Sequence, residues 1–137
     1  MARQLLTLLL AFTFSASLLT AAEWTGWRGP NGDARAADDS LPTEWAAGKN
    51  VVWKTKTPGP GTACPLVVGE RVYVTYYTGY GLAAGQGDQK QLNRHLVCLD
   101  RKSGEVLWTK AFQPKLPEHR YAGEGAYHGY AASTPAT

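Results

Sequence analysis

From residue 51 onwards the chain consists of short β-type runs separated by turn clusters, at 51–56, 65–68, 71–76, 95–99 and 105–110. In the third run Val72, Val74 and Tyr76 alternate with more polar residues, the period-two pattern of a strand with one buried face. The second and third runs are joined by Gly69-Glu70 alone, a two-residue connection with Gly first, which suits a type II′ hairpin turn. The fourth and fifth are joined by Asp100-Arg101-Lys102-Ser103-Gly104. There the Asp carboxylate can accept backbone N–H groups and Gly can take the positive φ that reverses the chain. Four consecutive strands linked in this way predict an all-β fold built on a four-stranded antiparallel meander. Leu66-Val67-Val68 and Leu96-Val97-Cys98-Leu99 are continuously apolar, so both faces of the sheet are expected to be covered.

A chain of 137 residues with 11% aromatic residues, including Trp 5 and Tyr 7, carries too much large apolar surface to stay disordered, and it is long enough for one small domain. The formal charge of +3 comes from Lys and Arg spread singly or in pairs such as Arg101-Lys102. No basic run suited to nucleic acid or an anionic membrane is present. Near the N-terminus, Arg3 precedes the apolar run Leu5 to Phe12, which continues weakly to Leu19, with Thr20 and Ala22 as the small residues of a cleavage site. Residues 1–22 therefore read as a secretory signal, leaving Glu23 as the mature N-terminus. The run is shorter than the roughly 20 residues of a membrane span, and Thr13, Ser15 and Ser17 interrupt it. The expected product is exported, periplasmic or extracellular, with no membrane span in the mature chain.

Export permits disulfides, and the chain holds two cysteines, Cys64 and Cys98. In the predicted meander one strand lies between them. Two inter-strand spacings amount to roughly 9.6 Å, beyond the ~7 Å Cα limit for a bridge, so the two are expected to stay unbonded.

Residues 23–50 are rich in Trp and Gly but have no regular period, and Gly29-Pro30-Asn31-Gly32 sets two turn dipeptides in succession. They are expected to form an irregular leader pinned down by Trp24, Trp27 and Trp45. An internal repeat is also visible. Val52-Trp53-Lys54-Thr55 resembles Leu107-Trp108-Thr109-Lys110, and Ala63-Cys64-Pro65-Leu66 resembles Ser133-Thr134-Pro135-Ala136. Unequal spacing of the two pairs points to radially repeated sheets with loops of different length.

The run from Leu96 through Asp100, Gly104 and Glu105 to Trp108 resembles the blade signature of pyrroloquinoline-quinone-type β-propellers, with Ser103 standing where the family usually has Thr. Residues 65–74 resemble the first two strands of the same blade. The leader Trp27-Arg28-Gly29-Pro30-Asn31-Gly32, together with residues 128–135, is similar to a group of secreted planctomycete propeller proteins. The family also includes outer-membrane assembly lipoproteins. The resemblance implies a fold of one four-stranded blade, an irregular leader over 23–50 and the start of a second blade, so that 51–137 is a partial propeller at the N-terminal end of a larger one. It further implies that Asp100 and Gly104 close the blade turn, that Trp108 fills the gap to a neighbouring blade, and that residues 51–56 form an outermost strand.

Fold alone does not carry activity. A binding or scaffolding module at the cell envelope is the expected function, with the remaining blades and an envelope protein or a carbohydrate as partners. The alternative is the N-terminal part of a pyrroloquinoline-quinone-dependent dehydrogenase. The chain lacks the adjacent cysteine pair associated with quinone binding, and it has no catalytic constellation or Asp matching a catalytic motif, Asp100 being explained by its turn. No cofactor or metal is expected in this chain; the quinone would belong to an intact relative. His95, His119 and His128 are too scattered to suggest metal ligation. Strand parity puts both tight turns at one end of the blade and both long connections, 77–93 and 111–131, at the other. These loops hold Tyr77, Tyr80, His119, Tyr121, Tyr127, His128 and Tyr130 as candidate ligand-face residues.

Overall fold

The computed structural model describes residues 23–36, 41–83 and 85–137, so the expected secretory signal at 1–22 lies outside the described residues. Four strands form one antiparallel sheet in the order β1 (Leu66–Val68), β2 (Arg71–Thr78), β3 (Asn93–Asp100) and β4 (Val106–Phe112). A 3-10 turn at Gln89–Gln91 and one short helix, α1 (Glu124–His128), lie in the long connections. Among the described residues, no helix is long and apolar enough to cross a membrane.

The hairpin register follows from its turn. Val68 faces Arg71 across Gly69-Glu70, and Gly69 alone of the two takes positive φ, +54°, as a type II′ turn requires. β2 and β3 then pair without interruption from Arg71↔Asp100 to Thr78↔Asn93. β3 and β4 pair with a bulge between Cys98 and Leu99, which leaves Leu107 as the extra residue.

Alternation sorts the side chains onto two faces. On one, Val72, Tyr76, Val97 and Leu99 form a buried cluster, with Trp53, Val67 and Val74 packed against it. On the other, Leu66 and Cys98 are fully buried and Tyr73 meets Trp108 with ring centroids 6.0 Å apart. Burying a side chain of Leu size stabilises the fold by roughly 1.5–3 kcal/mol, so a few such residues dominate so small a core.

Coverage is uneven, contrary to the expectation of a sheet enclosed on both sides. Every residue of β4 is exposed, including Trp108 at 38% and Phe112 at 52%. Residues 133–137, the partner of the repeat at 63–66, form no strand. They lie over the Leu66 face, where Pro135 and Ala136 line a groove with Tyr73 and Leu96, and Thr134 Oγ1 accepts from Cys64 N at 3.2 Å. Cys64 and Cys98 are both free.

Two further expectations are corrected. Residues 51–56 make no strand: the segment is fixed by side chains, Trp53 Nε1 donating to Arg101 O at 2.8 Å and Thr55 Oγ1 to Gly104 O at 2.6 Å. Of the three leader tryptophans only Trp24 pins the chain. It forms a two-bond antiparallel bridge to Val67 on the free edge of β1, and its indole N–H points to Cys64 Sγ at 3.3 Å. Trp27 and Trp45 are 70% and 64% exposed.

The rest of the β2 edge is taken up by the segment entering β1. Tyr77 N donates to Pro60 O at 3.0 Å, and a Cβ on Gly59 or Gly61 would lie 1.8 Å from Tyr77 O or 2.1 Å from Thr75 O. Only residues without a side chain allow so close an approach.

Candidate functional site

The two tight turns meet at one end of the sheet. Arg101 N donates to Glu70 O at 3.1 Å, and the Arg101 guanidinium donates to Gly69 O at 3.3 Å. Within the second turn, Asp100 Oδ1 accepts from Lys102 N, Ser103 N and Ser103 Oγ, at 2.9, 2.9 and 3.1 Å. These bonds, those from Ser103 foremost, with Arg71 nearby, hold the Asp100 carboxyl below the ordinary carboxylate range. Gly104 has φ +72°, and the Trp53 ring lies against it.

The opposite end is built by the two long connections, and four of the seven candidate residues converge there on a fifth. Tyr130 is 3% exposed and sits 5.4 Å from Tyr77 edge-on, 5.5 Å from Tyr80, 4.6 Å from His119 in a stack and 6.3 Å from Tyr121. Tyr77 belongs to β2, which runs two residues further than the sequence pattern indicates, and its hydroxyl donates to Gly81 O at 2.7 Å. The Tyr130 hydroxyl donates to His119 O at 2.7 Å. Burial chiefly, with Tyr80 beside it, pushes the Tyr130 phenol up to about 12, and burial also raises Tyr77. With Leu92 and Ala131 these rings form a second small core that ties both loops to the sheet. Tyr127 and His128 stand apart on α1: Tyr127 is 79% exposed and His128 is exposed, offering its carbonyl to Thr62 Oγ1 at 2.9 Å.

Two polar clamps complete this end, and no sequence pattern marks either. Arg94 Nε donates to Tyr130 O at 2.6 Å while its terminal nitrogen pairs with Glu118 at 2.8 Å. That bond lowers the Glu118 carboxyl. Gln89 Nε2 donates to Glu118 O and His119 O at 2.8 and 3.2 Å, and Gln89 Oε1 accepts from Glu118 N at 3.3 Å. One side chain thereby staples the second loop to the first.

Two clefts open beside these clamps. A largely apolar one of 320 Å³ lies between Leu96, Phe112, Ala131 and Pro135, with Thr75 and Arg94 at its wall. A polar one of 550 Å³ lies between Tyr80, Gly87 and Asp88 on one loop and Pro117 and Arg120 on the other. Among the described residues no group of three or more His, Cys, Asp or Glu side chains is arranged to hold a metal ion. No family model matches this chain, and neither the curated proteins nor the solved structures contain a match to it.

Proposed function

We propose that this chain is an exported repeat unit of a pyrroloquinoline-quinone-type β-propeller and acts as a binding or scaffolding module at the cell envelope, with further blades as its nearest partners. The observation carrying this reading is the contrast between two equivalent tryptophans. Trp53 and Trp108 occupy matching positions of the sequence repeat. Trp53 covers Gly104 and donates to Arg101 O, whereas Trp108 meets Tyr73 and is 38% exposed on a strand whose residues are all exposed. In a ring of blades the second ring would cover the equivalent turn of the next unit, and the exposed apolar side chains of β4 would be partly buried there.

The polar groups favour a binding module over a dehydrogenase. Asp100 is held by its turn, Glu118 is paired with Arg94, and the Tyr130 hydroxyl donates to a backbone carbonyl. What remains accessible is loop surface suited to recognition, for which an envelope protein and a carbohydrate are the two partner classes.

A photo-crosslinking residue placed at Trp108 or, separately, at Trp53 in the full chain inside a living bacterial host tests the reading. Adducts with other envelope proteins are expected at position 108 and not at position 53, from a product that begins at Glu23. Equal adducts at both positions, or a product retained in the cytoplasm, would overturn it.

A further inference from the structure

The polar cleft between the long loops offers a definite combination of unused groups. Two of its polar side chains are spent: Gln89 holds three backbone groups of the opposite loop, and the charge of Glu118 is balanced by Arg94. They make a rigid wall. Arg120 and Asp88 line the same cleft from opposite loops. Among the described residues, the Arg120 guanidinium makes no ion pair or hydrogen bond, and the Asp88 carboxylate uses only Oδ1, which accepts from Lys90 N at 2.9 Å. An apolar floor is supplied by the Tyr80 ring, held in place by Tyr130 and by a bond from Tyr121 N to its hydroxyl at 3.4 Å, and by Pro117.

We infer that this cleft binds a neutral sugar unit, a hexopyranose residue of a glycan; the inference rests on the binding-module reading but not on the number of blades. The Arg120 guanidinium and the remaining oxygen of the Asp88 carboxylate, which do not pair with each other, leave one strong donor and one strong acceptor lining the same cleft. A sugar hydroxyl both donates and accepts, so adjacent hydroxyls satisfy both at once. An anionic guest would gain Arg120 but face Asp88, and a cationic guest would meet the reverse conflict. The C–H face of a pyranose covers the Tyr80 ring, as apolar surface with polar rims does in small-ligand sites. At 550 Å³ the cleft falls within the roughly 300–1,000 Å³ of such sites.

The test is an amide NMR titration of the full chain with neutral oligosaccharides of glucose, galactose, mannose and N-acetylglucosamine, beside a polygalacturonate oligosaccharide and inorganic phosphate. Saturable shifts at residues 87–89 and 118–120 are expected with at least one neutral probe and with neither anion. Asp88→Asn, which keeps the acceptor for Lys90 N, and Arg120→Gln should each weaken binding roughly tenfold while leaving the remaining spectrum unchanged. Absence of binding to every neutral probe would overturn the inference, as would tighter binding of the anions that Asp88→Asn strengthens further. Cross-linking at Trp108 without any sugar binding would sink this inference and leave the module reading standing.

Discussion

Trp53 covers the one position of the β3–β4 turn at which a side chain cannot be accommodated: a Cβ on Gly104 would lie 2.4 Å from two carbons of the Trp53 ring. The two residues are far apart in sequence, and their contact closes the tight-turn end of the sheet. The Asp100 hydrogen bonds set the turn, the turn places the glycine, and the glycine accepts the ring.

Gly104→Ala therefore combines a left-handed backbone with a collision, and a loss of about 2–4 kcal/mol is expected. Gly69→Ala provides the comparison, because Gly69 also has positive φ but has nothing within 4 Å of the added methyl. Its cost should be nearer 1–2 kcal/mol. Urea unfolding of both variants measures the difference, and equal losses would remove Trp53 from the account.

Gly61→Ala tests the edge of β2. Its backbone φ is not in the left-handed region, so only the 2.1 Å approach of the new methyl to Thr75 O opposes the change. Overpacking against backbone that cannot swing aside should cost about 1–3 kcal/mol. Faster amide exchange at Tyr77, whose N–H is bonded to Pro60 O, is expected in the variant.

How far the sequence discloses this architecture depends on the kind of interaction. Strands and turns are local, and the Val72-Val74-Tyr76 alternation, Gly69-Glu70 and Asp100 to Gly104 identify all four strands and both tight turns. The length of β2 is less legible, because Tyr77 and Thr78 read as loop until the register with Arg94 and Asn93 extends the ladder. Residues 51–56 have β-type side chains but hydrogen-bond through Trp53 and Thr55 to a distant turn, a tertiary choice that propensity cannot express. The same holds at the loop end. Tyr77, Tyr80, His119, Tyr121 and Tyr130 are prominent as aromatic residues, yet nothing local separates them from Tyr127 and His128, and the Gln89 and Arg94 clamps carry no motif.

Asp100 gives a dependence on acid. Its folded carboxyl is held below the ordinary range by bonds from Ser103 first and Lys102, so its contribution is present above the unfolded value of about 3.9. That contribution disappears as pH falls through the lowered folded value. The urea midpoint should decline below about pH 4, and Asp100→Asn should flatten the decline. A profile identical in both proteins would show that the carboxylate does not stabilise the turn.

Tyr130 gives the alkaline counterpart. The folded phenol is pushed up to about 12, above the usual value near 10, so the folded state keeps a proton that the unfolded chain releases. Stability from this group is complete below pH about 10 and is lost as pH rises towards 12. Absorbance titration of the phenolates should find a late-ionising tyrosine that Tyr130→Phe removes. Its persistence in that variant would assign the late ionisation elsewhere, Tyr77 being next in line.

The contrast between Trp53 and Trp108 is measured most directly by 19F NMR of the full chain carrying 5-fluorotryptophan, with solvent isotope shifts recorded for each assigned indole. The account predicts a small shift for Trp53, held on the Gly104 turn, and a markedly larger one for Trp108, 38% exposed on the outer strand. Equal protection of the two rings would contradict it, because the open face on which a further blade is proposed to dock would then already be closed.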